Sequence, residues 1–430
     1  MTSTSTGQRL PSAYWRLLTA SGISNLGDGI FLVALPLLAA RLSDGAVGVS
    51  LVAAAAVMPW LVFSLPIGAI IDRYDRRRIM VVTDTVRAVM VGLLALAVAF
   101  DMIEIWMLWV LALGLGTAEV FFDSASQAML PAVVPGPLLE KANGRKYSVD
   151  LTTNTFVGAP IGSLLFAASV ALPFGIDAAT FVIAVVLVLG VRGQFNPNTA
   201  PRHESASLYA EMRTGMRWLW KQPLLRSIAL SLALSNLAFQ MPQAVFVLFA
   251  QEELDVGETG FGFLLAVMGA GAILGGLVGD RIVNRFGQTQ CIYGAICTWV
   301  VTLLAVPIYP QAWFVALAVA IESLAATVWN VVTISLRQQA IPDQLFGRVN
   351  GVYRWLAWGT LPIGAVIGGQ VAAHVGLRAN YFVAAGVMVM AVLALVRQVN
   401  TAGIVQALTA NRVAANLDDT PVARRDPLFD

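Results

Sequence analysis

The chain has 430 residues, of which 58% are hydrophobic and only 12% charged, with a mean hydropathy of +0.75. Ordinary soluble domains are about one-quarter charged, so this composition excludes a soluble globular protein and describes one that lives in a bilayer. The formal net charge of +2 carries no signal for nucleic acid, and two histidines leave no material for a convergent histidine-based catalytic site.

The chain starts with a polar stretch, MTSTSTGQRLPSAYWRLL, and its first apolar run continues past signal-peptide length without a small-residue cleavage site, so span one is expected to stay. Apolar runs of about 20 residues, each able to cross about 30 Å of hydrocarbon, follow one another along the sequence. They lie at 14–40, 46–71, 79–100, 104–130, 150–171 and 174–192, then at 224–250, 258–280, 290–309, 312–336, 350–373 and 378–398. The expectation is an all-α membrane protein with twelve transmembrane helices.

Polar residues fall on single helix faces in four of these spans. Span one carries Ser21, Asn25 and Asp28; span four carries Glu119, Asp123 and Gln127; span seven carries Asn236, Gln240 and Gln243; span ten carries Glu322, Asn330 and Thr333. An acidic residue at mid-helix costs about 2.5 to 3.5 kcal/mol if it must face lipid, so these stripes are expected to face a wetted internal cavity. Partial desolvation there favours the neutral form of a carboxyl, which suits loading and release of a proton. Asp28, Glu119, Asp123 and Glu322 are therefore the candidate proton-coupling residues. Asn25, Gln127, Asn236, Gln240, Gln243 and Asn330, with Phe121 and Trp329 beside the stripes, are candidates for the substrate cavity. In span three, Asp84 and Arg87 stand one turn apart, and are expected to pair with each other or with the basic 72–78 loop in a gate-side structural role.

Between spans six and seven, 193–223 is the one long connector. Its LYAEMRTGMRWLWK puts Leu208, Met212, Met216 and Trp220 on one face, as in a helix lying in the membrane interface. Cys291 and Cys297, in an apolar helix without histidine or carboxylate neighbours, read as small core residues and not as a disulfide or metal site. GAGAILGG (269–276) follows no strand; Gly271, Gly275 and Gly279 make a small-residue face for close helix packing. There is no G-x-x-x-x-G-K-[ST] loop in the sequence, so ATP hydrolysis through a P-loop is excluded. The polar stretch after about residue 399 reads as a disordered tail.

Basic residues set the orientation. DRYDRRR (72–78), EKANGRK (140–146), the connector and DRIVNRF (280–286) all fall on one side, and only Arg41 and Arg378 of 27 Lys plus Arg fall on the other. By the positive-inside rule both termini are cytoplasmic in a multi-pass protein of the cytoplasmic membrane.

The sequence also repeats itself. GAIIDRYDRRR (68–78) is echoed by GLVGDRIVNRF (276–286), SQAMLPAVVPGPLLEKANG (126–144) by RQQAIPDQLFGRVNG (337–351), and GAPIGS (158–163) by LPIGAVIGG (361–369). The expected organisation is two pseudo-symmetric six-helix bundles, 1–192 and 224–398, joined by the 193–223 connector and followed by the 399–430 tail.

On these residues the chain resembles the major facilitator superfamily over about 14–398, and within it the drug and siderophore exporters that include the enterobactin exporter and macrolide efflux proteins. Gly68, Asp72, Arg73, Arg76 and Arg77 match the superfamily's loop motif G-x-x-x-D-R-x-G-R-R, with Asp75 where glycine is usual; GDGIFLVALPLL (27–38), QAMLPAVVP and PDQLFGRVNG (342–351) carry the exporter likeness. The resemblance implies the major facilitator fold and a cytoplasmic gate built from Gly68, Asp72, Arg73, Arg76 and Arg77, together with Asp84, Arg87 and the echoing Asp280 and Arg281. It places spans one, four, seven and ten around the transport path, where the polar stripes already lie. The span-five motif departs from G-P-x-x-G-G, with Ala159 before Pro160 and Ser163 for the last glycine, and span four lacks the basic residue of many antiporters.

The function expected is secondary active transport, not enzymatic: proton-coupled efflux of drugs or small amphipathic or cationic compounds by alternating access, with protons, a small-molecule substrate and the bilayer as partners. No cofactor, metal or nucleic acid is called for, and a monomer is expected. The alternatives are a dedicated exporter of a siderophore or other metabolite, for which Arg354 is the one obvious cavity cation, and a lysolipid flippase.

Overall fold

The computed structural model describes residues 10–63, 66–71, 73–191, 195, 208–396 and 398–400. Twelve helices among them are long and apolar enough to cross a membrane. Spans one to six are Ser12–Leu42, Ala46–Phe63, Arg76–Ala99, Ile105–Val133, Lys141–Ala168 and Leu172–Leu189. Spans seven to twelve are Pro223–Gln243, Glu258–Phe286, Gln288–Ile308, Ala312–Ala340, Leu345–His374 and Leu377–Val396.

The ends differ from the apolar runs where local chemistry intervenes. Span two stops at Phe63 and the chain resumes in a short helix, Ile67–Ile71. Spans five and eleven start earlier than expected, at Lys141 and Leu345, because a helix can run on through polar residues once it leaves the hydrocarbon. Span seven ends at Gln243, just after Pro242, and a separate short helix, Phe246–Glu252, carries the rest of its apolar run. Span three begins where the Asp75 side chain accepts a hydrogen bond from the Arg78 backbone N–H at 2.9 Å, an N-cap that explains an aspartate at the motif's usual glycine position. Span eight is closed by Gly287 at φ 83°, in the left-handed region that favours glycine.

Each half packs in the same pattern. Span one lies against spans five and six as span seven lies against eleven and twelve, and span four touches two and three as span ten touches eight and nine. Glycines allow the closest approaches: Gly29 of span one faces the backbone of Asn154, and Gly271 and Gly275 of span eight face Ala320 and Leu324 of span ten. Gly279 stands farther out, with the Val328 side chain at 4.0 Å from where a Cβ would be. Cys291 is buried and Cys297 exposed, both unpaired thiols. The connector helix is Leu208–Lys221 and packs against spans seven and eleven. Leu219 is wholly buried and Gly215 packs on the Arg348 backbone, whereas Trp220 is exposed.

The two halves meet along two seams, span two with eleven and span five with eight. Gly369 packs on Ser50, Gly262 on Ser163, and Gly269 on Thr155; the Trp60 and Trp358 rings stack at 4.5 Å. At the face away from the chain ends, Arg41 of span one holds Glu258 of span eight through both Nε and Nη2, and its guanidinium lies 4.8 Å from the Phe166 ring. Such a partly exposed pair is worth about 1 kcal/mol at most, a factor of about five in population. In a Cys291→Ser, Cys297→Ser background, Glu258→Gln is therefore expected to speed labelling of a Val49→Cys thiol from that face by up to about fivefold. The exchanged pair, Arg41→Glu with Glu258→Arg, should return it to the starting rate.

Candidate functional site

Span five loosens where the halves approach. Thr152–Gly158 form a π-helical turn, a distortion common at functional positions, and Asn154 and Thr155 from it reach a cavity of about 440 Å³ between the halves. The polar end of that cavity is formed by Asp28, Arg87, Glu119 and Asp177. Gln240, Gln243 and Met268 border it from the second half, with Phe31, Phe181 and Phe239 among its apolar walls.

Arg87 organises the charge. Its side chain is 2% exposed; Nη2 lies 3.4 Å from Asp28 Oδ1 and Nη1 lies 3.6 Å from Asp84 Oδ1. The guanidinium stands over Phe181 at 4.9 Å and Phe122 at 5.5 Å, an apolar cage that strengthens both ion pairs by excluding water. Glu119 and Asp123 also act on Arg87 electrostatically. Asp84 is fully buried, and among the described residues neither of its oxygens has a hydrogen-bond donor. Arg87 is its ion-pair partner there. Asp84 and Arg87 thus pair with each other, one of the two expected arrangements, and the arginine also reaches Asp28 of span one.

The second half has a cavity of about 360 Å³, lined by Asn236, Gln243, Glu322, Trp329 and Asn330 among others. Phe239, Gln243 and Met268 border both cavities, so the two adjoin. The Thr302 hydroxyl donates to Glu322 Oε1, and the Trp299 indole N–H donates to the Glu322 carbonyl at 3.2 Å.

The other expected cavity residues are engaged elsewhere. Asn25 donates to Asp150 Oδ1 at 3.1 Å, and Asp150 is also held by Lys146 at 2.6 Å, so that stripe position ties span one to span five. The Phe121 ring tilts against Phe63 at 5.9 Å. Asp123 is half-buried and Gln127 exposed, and neither lines these two cavities. Of the gate motif, Asp72 lies outside the described residues. Gly68 sits in the short helix before it and Arg73 is exposed. Arg76 donates to the Ala128 carbonyl at 3.0 Å and Arg77 to the Leu189 carbonyl at 2.7 Å, tying the loop to spans four and six. Asp280 and Arg281 are exposed near the end of span eight.

Asp177 is the residue that the stripes missed. It is 1% exposed in span six, beside Thr180 and against Gly27 of span one. A carboxylate inside the apolar run 174–192, with Thr180 three residues on, was the available signal.

A twofold-repeated bundle with a charged cavity on its pseudo-symmetry seam is a transporter architecture. Residues 10–425 match the transmembrane secretion effector family. The chain belongs to this family, within the major facilitator superfamily. Multidrug efflux pump Tap of Mycolicibacterium fortuitum is 29% identical to it over 383 residues, 85% of this chain and 90% of that one. Macrolide efflux protein A of Streptococcus pyogenes is 22% identical over 393 residues, 90% of this chain and 96% of that one. Among solved structures, the nucleoside transporter NupG aligns with a TM-score of 0.71 at 11% identity, covering 90% of this chain and 98% of that one. A bacterial homologue of the iron transporter ferroportin, in an inward-facing state, aligns with a TM-score of 0.69 at 17% identity, covering 91% and 99%. At such identities the structural likeness is one of fold. Family and fold of this major facilitator protein are those of transporters and not of enzymes.

Proposed function

We propose that this chain exports small cationic or amphipathic compounds across the cytoplasmic membrane in exchange for protons, by alternating access of its two halves. The observation that carries the reading is the buried cluster of Arg87 with Asp28 and Asp84 at the wall of the cavity between the halves. When Asp28 is ionised, Arg87 is shared between two carboxylates and pins span one to span three. Protonating Asp28 removes its hold on the guanidinium and leaves Arg87 to Asp84, so proton binding and the packing of spans one and three are linked through one side chain. Glu119, on the same wall, and Asp123 extend the proton path.

The efflux activities named for the two relatives support the outward direction, and the basic loops support cytoplasmic termini. Residues 1–192 and 224–398 are the two rocking bodies, with 193–223 as their tether, and the transporter works as a monomer. The Arg41 and Glu258 pair closes the outer face and must open for release.

The test is proton movement in inverted membrane vesicles containing the full chain, followed with a pH-gradient dye while lipophilic cations, macrolides and tetracyclines are added in turn. Compound-dependent dissipation of the gradient, absent from vesicles without the protein, is expected. A folded protein that moves labelled compound with no change in the gradient overturns proton exchange.

A further inference from the structure

The two adjoining cavities both present a carboxyl but differ in what balances it. In the first, Arg87 supplies the positive charge within the protein. In the second, Glu322 enters no ion pair among the described residues, and the Thr302 hydroxyl is its one side-chain donor there. A carboxylate inside a membrane bundle without a cation is costly, and a cation that arrives as ligand removes the cost.

The walls of this cavity suit an organic cation and not a metal ion. Trp299, Trp329, Tyr381 and Phe239 line it, and the two indoles stand 5.9 Å apart at 52°. A ring face within about 6 Å attracts a cation, most strongly where water is excluded. Met268 and Met388 add soft, adaptable surface. A second observation is independent of charge: Trp329 is 1% exposed, yet among the described residues its Nε1–H has no hydrogen-bond acceptor. Burying an indole N–H unpaired is unfavourable, and an acceptor on a bound molecule would satisfy it.

We infer that the cavity around Glu322 is a subsite for lipophilic organic monocations, with Glu322 as counter-ion, Trp299 and Trp329 as ring walls and the Trp329 N–H as donor to an acceptor on the ligand. It deepens the export reading by separating cargo recognition in the second half from proton exchange at Asp28 in the first. One carboxylate balances one charge, so a dication leaves a charge uncompensated and a neutral compound leaves Glu322 as it stands empty.

The experiment is equilibrium binding of ethidium, a permanent aromatic monocation, to the full-length protein in nanodiscs, read by its fluorescence with no proton gradient present. Glu322→Gln is expected to weaken binding by about 30-fold or more, the usual consequence of removing one partner of a desolvated charge pair. Glu253→Gln, which neutralises a carboxylate of the exposed Arg378 pair outside both cavities, is expected to shift ethidium affinity by less than about threefold, because a distant site with no shared partner adds independently. Ethidium should raise the melting temperature of the wild type and not that of Glu322→Gln, whose own melting temperature in the absence of ligand shows that it is folded. Unchanged affinity in Glu322→Gln, an equal loss in Glu253→Gln, or no saturable binding by the wild type overturns the subsite. The vesicle assay reads protons and this one reads occupancy, so either reading can fail while the other stands.

Discussion

Arg87→Met is expected to destabilise the folded protein more than any other single replacement in the cluster, by about 3 to 5 kcal/mol, the range seen when one partner of a buried ion pair is removed. The reason lies with Asp84. It is fully buried, and among the described residues no N–H or O–H donates to it and Arg87 at 3.6 Å is its one ion-pair partner. Asp28 is less dependent, since its side chain is 29% exposed and borders the cavity. Thermal unfolding of the purified protein should show a large fall in melting temperature for Arg87→Met and a smaller one for Arg87→Lys, which keeps the charge but loses the forked geometry. Adding Asp84→Asn to Arg87→Met should recover much of the loss, because the uncompensated charge is gone, without recovering transport. A double variant as unstable as the single one would mean that Arg87 acts by packing against Phe122 and Phe181 and not by charge.

Asp28→Asn is expected to reduce proton-coupled transport to the level of vesicles lacking the protein while leaving the fold intact. Asparagine keeps the shape of the carboxyl but is fixed in a neutral state, so Arg87 stays with Asp84 throughout the cycle and the gradient has no purchase on the packing of span one against span three. Movement driven by the compound's own gradient should persist. The check is the same protein measured two ways, by dye-reported proton movement and by exchange of labelled compound across vesicles without a pH difference. Undiminished pumping by Asp28→Asn would remove Asp28 from coupling and leave Glu119 and Asp123 as the remaining acidic candidates.

Sequence periodicity carried a long way because a bilayer enforces it. Charged and amide side chains at mid-span must turn inward, so Asp28, Glu119, Gln240, Gln243 and Glu322 were found as stripes and do line cavities. The same rule cannot say which internal surface a polar residue meets. Asn25 shares a stripe with Asp28 yet is bonded to Asp150, because three residues shift a side chain about 4.5 Å along the helix and about 60° around it, from the cavity to the span-five contact. Asp75 reads as a flaw in a loop motif until the start of span three shows it capping the helix.

The amino-acid sequence by itself determined the membrane class, the number of spans, the twofold repeat and the family, since each follows from local hydropathy or from recurring short segments. Tertiary structure alone decided the charge network and the division of the interior. Arg87 and Asp28 lie 59 positions apart on different spans, and only the rotation of span three against span one brings them to 3.4 Å. Glu322 reads as equivalent to Asp28 as a mid-span carboxylate, and it is Arg87 beside one, with no cation paired to the other among the described residues, that separates them. Helix periodicity records which face of a span is polar, whereas the partner across the gap depends on how two rigid helices are turned and docked.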